Sequence, residues 1–162
     1  NWRDGEAPRL RALYTAGDFD AASALADDLL AHRPDHADAL HIRALIAFRG
    51  GDAAAAIATL RQAPPRADLL TDLGVMLRAT GQAEQAEAAY GRAIGLDQGC
   101  APAHGNLGNL LLDAGRIAEA DAAFAAALAI APGQPWLLRG HALTLLAQQE
   151  PAAAEEIGRA HV

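Results

Sequence analysis

Residues 67–100 read ADLLTDLGVMLRATGQAEQAEAAYGRAIGLDQGC, and residues 101–134 read APAHGNLGNLLLDAGRIAEADAAFAAALAIAPGQ. Laid one over the other, Leu73-Gly74 falls on Leu107-Gly108, Gly81 on Gly115 and Ala86 on Ala120. Tyr90 falls on Phe124 and Ala93 on Ala127, every pair being 34 residues apart. A fixed period of this length marks one supersecondary unit stacked several times. It points function towards a surface and away from a catalytic pocket.

Within each copy the apolar spacing is helical. Leu107, Leu110, Leu111 and Ala114 share one face; Ile117, Ala120, Phe124, Ala127 and Leu128 share the face of the next helix. Small residues (Gly74, Gly108, Ala86, Ala120, Ala93 and Ala127) stand where paired helices would cross, which lets the axes approach. Working outward, turn signals recur at Gly17-Asp18, Gly51-Asp52, Gly81-Gln82 and Gly115-Arg116. Pro34 and Pro132 stand where second helices must stop. This register divides the chain into units of about 3–36, 37–66, 67–100, 101–134 and 135–162, each helix, tight turn, helix. The strict period holds only between the third and fourth. The second unit is four residues short, and Ala63-Pro64-Pro65 ends its second helix early, so a local change in superhelical geometry is expected there.

Composition agrees. The chain is 52% hydrophobic but only 4% aromatic, so its apolar content is mostly alanine and leucine, the strongest helix formers. All 13 basic residues are arginine, as a GC-rich genome would produce. A net charge of −7 leaves no basic face to displace counterions, which argues against nucleic acid and anionic membrane surfaces. The longest apolar run, Ala122–Ala131, is far short of the roughly 20 residues of a membrane span. Cys100 stands alone, so no internal disulfide is possible; this fits a reducing compartment and favours the cytoplasm. No secretory leader is visible, and the chain opens on Asn1.

The sequence resembles the tetratricopeptide repeat (TPR) family, a 34-residue helix-turn-helix. The fourth unit carries the family pattern as Leu107, Gly108, Leu111, Gly115, Ala120, Phe124, Ala127 and Pro132. The third carries Leu70, Leu73, Gly74, Leu77, Gly81, Ala86, Tyr90 and Ala93, with Gln98 where proline is usual. The first keeps Gly17, Phe19, Ala22 and Pro34; the second keeps Leu40, Ala44, Gly51, Ala56 and Ala63. The fold this implies is an all-α, right-handed superhelical solenoid of about five repeats and ten helices, one array over 1–162. The fifth unit has Gln149 for the turn glycine, then Pro151, Ala153, Ile157 and Ala160. Either it caps the array poorly, or the native chain continues.

Candidate chemistry is sparse. His32, His36 and His41 are close, but Pro34 separates the first two from a common helical face, and no zinc-type spacing completes a site. His104, His141 and His161 are scattered. Asp27-Asp28 and Glu155-Glu156 are helix neighbours that point apart, which suits solvated faces. Cys100 has no histidine placed to activate it. No metal, cofactor or catalytic set is expected, and Gly105-Asn106-Leu107-Gly108 reads as helix packing.

The resemblance implies that first helices line a concave wall, at repeat positions 2, 5, 6, 9, 12 and 13. From the first unit these are Arg11, Tyr14 and Thr15; from the second Asp38, His41, Leu45, Phe48 and Arg49. The third adds Asp68, Thr71, Asp72, Val75 and Arg78, the fourth Asn106, Asn109 and Asp113, the fifth Trp136, Arg139 and Leu143. Such a wall offers apolar anchors (Tyr14, Phe48, Trp136), arginines for bidentate pairing with carboxylates, and asparagines able to grip a peptide backbone. Asn109 matches one position of the family's lysine–asparagine clamp for C-terminal carboxylates, but the chain has no lysine, which argues against that clamp. The implied function is a non-catalytic protein- or peptide-binding scaffold. The alternatives are the recognition arm of a larger enzyme (a glycosyltransferase, sulfotransferase or 2-oxoglutarate oxygenase) and a self-assembly module.

Overall fold

The computed structural model describes residues 5–149. Among them every regular element is an α-helix: α1 (Glu6–Thr15), α2 (Phe19–His32), α3 (Ala37–Arg49), α4 (Ala53–Gln62), α5 (Ala67–Ala79), α6 (Ala83–Leu96), α7 (Ala101–Asp113), α8 (Ile117–Ile130) and α9 (Pro135–Gln149). They make four helix pairs and the first helix of a fifth. The second helix expected for that unit, with Pro151, Ala153, Ile157 and Ala160, lies outside the described residues, as do Glu155-Glu156 and His161.

Local chemistry sets the ends. Gly17, Gly51, Gly81 and Gly115 have φ of 81°, 90°, 78° and 74°, the left-handed conformation that reverses the chain between paired helices and that a Cβ disfavours. Asp18 and Asp52 then cap α2 and α4, accepting from Ala21 N at 3.1 Å and Ala55 N at 3.0 Å. α8 starts on Arg116 without a side-chain cap, but Arg116 Nε donates to Glu119 Oε1 at 2.9 Å, holding a carboxylate in the helix's electropositive first turn. α6 ends at Leu96 although Gln98 replaces the usual proline. Asp97 supplies the turn instead, accepting from Gly99 N at 2.9 Å.

The chain divides into two compact units, Asn1–Pro65 and Arg66–Val162. The border falls at the proline pair that ends α4 after ten residues, where α2, α6 and α8 have fourteen. In the first unit α3 lies against α1, α2 and α4. Its core joins Leu10, Ala22, Ala26, Leu29, Ala39 and Ile42, with Leu13, Tyr14, Leu25, Leu30, Leu45 and Ile46 packed on the outside.

In the second unit each helix packs on the next, and the first helices also touch: α5 with α7, and α7 with α9. Glycines at the crossings admit aromatic rings. The Tyr90 ring lies where a Gly74 Cβ would stand, and the Phe124 ring is held between Gly108 of α7 and Gly140 of α9. Both rings are fully buried. Burying a ring of this size contributes about 1.5–3 kcal/mol, and an alanine at any of these glycines would displace it.

Candidate functional site

The first helices carry the side chains that the register assigns to the wall. In the first compact unit several of them are engaged with other residues of that unit. Arg11 Nη2 donates to Asp38 Oδ1 at 2.9 Å, tying α1 to α3. Tyr14 meets Phe19 edge-on, with ring centroids 5.5 Å apart and planes at 61°. The Arg49 guanidinium sits over the other partner of that pair, 4.7 Å from the Phe19 centroid. Tyr14 and Leu45 pack on the core cluster, while His41 and Phe48 are half-buried. Tyr14, Phe19 and Arg49 thus form a stack across α1, α2 and α3. Its middle member is absent from the sequence-derived wall because Phe19 opens a second helix, and the register assigns only first helices to that surface.

In the second unit the wall residues divide into engaged and available groups. Thr71 is buried: its hydroxyl donates to Ala67 O at 2.7 Å and lies 3.6 Å from Cys100 Sγ, so it braces the start of α7. Asn106 Nδ2 donates to Pro102 O at 2.9 Å. Trp136 is half-buried, its ring against Gly105 in the cluster of Phe124, Ala127 and Leu137. Asn109 is half-buried. Arg139 is exposed.

Three wall residues from two repeats come together. Arg78 Nε donates to Asp113 Oδ2 at 2.9 Å, 35 residues away in sequence. With Val75 they border a cleft of about 550 Å³, completed by Ala79, Gly81 and Ala83 on one side and Leu110 and Ala114 on the other. Val75 is exposed and Leu110 is buried. The cleft therefore has an aliphatic interior and a charged, neutralised rim. Leu110 carries no sequence signal for this role, because the 34-residue pattern places it on the core face of α7.

Beneath the wall, the Tyr90 hydroxyl is buried without a hydrogen-bond partner among the described residues. Burial pushes its pKa up to about 12, while Arg78 acts to lower it and Asp72 to raise it. On the second helices, Arg116 Nη1 donates to Glu87 Oε2 at 2.8 Å and bridges α6 to α8. Hydrogen bonds from Arg116 hold Glu119 below the usual carboxylate range. Among the described residues no group of three histidines, cysteines or carboxylates has the geometry to hold a metal ion. No helix among them is long and apolar enough to cross a membrane.

No curated protein matches the sequence. Solved structures do match in fold. The structure of Pseudomonas aeruginosa pilF is 21% identical, covering 99% of this chain and 76% of that one, with a TM-score of 0.83. MamA is 22% identical over 93% of this chain and 84% of its own, with a TM-score of 0.73. YrrB, described as a TPR protein with an unusual peptide-binding site, is 22% identical over 91% and 78%, with a TM-score of 0.68. The tetratricopeptide repeat model matches residues 9–69 and 71–135, which together are well over half of the sequence. With paired helices, left-handed glycine turns and aromatic-on-glycine crossings in register, the chain belongs to the tetratricopeptide repeat family.

Proposed function

We propose that the chain is a non-catalytic scaffold that holds an extended protein or peptide segment on the wall of its first helices. The observation that carries this reading is the cleft where Val75 and Arg78 of one repeat meet Leu110 and Asp113 of the next. Its aliphatic interior suits a branched aliphatic side chain, and its ion-paired rim offers donors and acceptors to a backbone alongside. Asn109 supplies both hydrogen-bond roles within the same helix, and Arg139 a planar fork for a carboxylate. YrrB, which shares the fold, has a peptide-binding site, and that supports a peptide as the ligand here.

The test is selection of binders from a displayed peptide library, followed by titration of the best peptide against variants. Val75→Glu places an unpaired carboxylate at the mouth of the cleft and should weaken binding at least about tenfold, a loss of about 1.4 kcal/mol. Phe48→Ala combined with Arg49→Glu probes the first unit in the same way. Arg92→Glu, on the exposed side of α6, serves as the control. Unchanged affinity in Val75→Glu removes the cleft from the binding surface.

Self-association is a second reading, favoured by α9. Leu138, Leu143, Leu145 and Leu146 are 50%, 43%, 43% and 62% exposed, and a helix apolar on most of its circumference is ordinarily covered. Light scattering across a hundredfold concentration range distinguishes the two. A mass that stays at one chain throughout excludes self-association.

A further inference from the structure

α3 begins on an unusual cap. Serine, threonine, aspartate and asparagine are the preferred side chains at this position, but here it is His36. Its ring Nδ1 accepts a hydrogen bond from Ala39 N at 3.3 Å. Ala39 is fully buried and His36 is only 7% exposed, so this backbone N–H has no water to turn to.

Only an unprotonated Nδ1 can accept. A proton there would set two N–H groups head to head and place positive charge at the helix end that is already electropositive. The charged groups facing the ring are Arg33 just past α2, Asp35 in the turn and Asp38 on α3 itself. Burial and then Arg33 oppose the charged ring, while Asp38, a hydrogen bond to the residue's own backbone and Asp35 favour it; the balance holds His36 below its ordinary range. From α1, Arg11 reaches Asp38 rather than the ring, and it engages one of the two carboxylates that favour protonation.

We propose that His36 is a proton-sensitive cap. As a neutral ring it holds the first turn of α3 closed, and acidification releases that turn, loosening Asp38 and His41 at the start of the wall that α3 presents. The sign follows from linkage. The unfolded chain takes the proton first, so the contribution is complete above the ordinary histidine value of 6.5. It falls as pH drops below that value and levels off beneath the folded-state value.

The test is an NMR titration of the His36 ring in the full chain between pH 7.5 and 5, with hydrogen exchange at the Ala39 amide, beside His36→Asn. Asparagine caps without titrating. The ring should titrate below 6.5, and Ala39 should lose protection with the same midpoint. In His36→Asn that amide should stay protected throughout. The unfolding constant of the wild type, relative to the variant, should rise about fivefold across the range, the worth of one side-chain cap. A ring that titrates at or above 6.5 overturns the proposal. So does an Ala39 amide equally protected at both pH values in the wild type, a reading that needs no variant to fold.

Discussion

Replacing Tyr90 by phenylalanine should stabilise the protein, although it removes a polar group from a natural side chain. Tyr90 is fully buried against Gly74, and its hydroxyl is the buried side-chain atom left without a partner among the described residues. A buried hydroxyl that loses water and gains nothing costs about 1–3 kcal/mol. The deletion leaves a gap smaller than a methyl group, so the packing loss offsets only part of this. Phe124, 34 residues on, shows that the ring alone fills such a site: it too is fully buried and rests on Gly108. The net expectation for Tyr90→Phe is a gain of about 1 kcal/mol at pH 7, measured by urea denaturation followed by circular dichroism.

A second measurement isolates the hydroxyl. Burial raises its pKa from 10.0 to about 12. The unfolded chain therefore ionises first, and the wild type loses stability between pH 10 and 12. Relative to Tyr90→Phe the loss should reach about 2 kcal/mol at the top of that range, from 1.36 kcal/mol per unit. A variant destabilised by 1 kcal/mol or more at pH 7 would refute the reasoning, because it would mean the hydroxyl is bonded in solution. So would a wild type and variant that run parallel from pH 10 to 12.

Other substitutions test the crossings and the ends. Gly140→Ala drives a methyl group into the Phe124 ring and should cost about 1–3 kcal/mol of thermal or denaturant stability, whereas Gly133→Ala, with open space around it, should cost almost nothing. Asp52→Ala removes the acceptor for Ala55 N and should destabilise by about 1 kcal/mol in the same denaturation assay, with Asp52→Asn restoring most of the loss. Asp113→Ala breaks a half-exposed pair whose members retain 37% and 32% exposure, so stability should change by less than about 1 kcal/mol. Peptide affinity, read by titration, should change more than stability does, because Arg78 is then free at the rim of the cleft.

The repeat was legible because its signals are local. A glycine at a left-handed turn, an aspartate one residue later and apolar residues at helical spacing each act within a few residues. The first helices start at Ala37, Ala67, Ala101 and Pro135, where the sequence register opens its units. The shortened α4 was legible for the same reason: Pro64 and Pro65 exclude further helix by their own geometry. The availability of the wall residues was not legible. Thr71 and Val75 are one helical turn apart and both were assigned to the wall, yet one is 4% and the other 37% exposed. Arg49 reads as a free charge until Phe19 is placed beneath it.

By itself, then, the sequence determined the secondary structure, the helix pairing and the family, because backbone preference and hydrophobic period are properties of short stretches. Only the tertiary structure decided which wall residues meet. Arg78 and Asp113 are 35 residues apart, and their pairing depends on how α5 and α7 lie beside each other. Tyr90 on Gly74 seats α6 against α5, Phe124 on Gly108 seats α8 against α7, and α6 packs on α7; these are contacts between helices that no short stretch of sequence specifies.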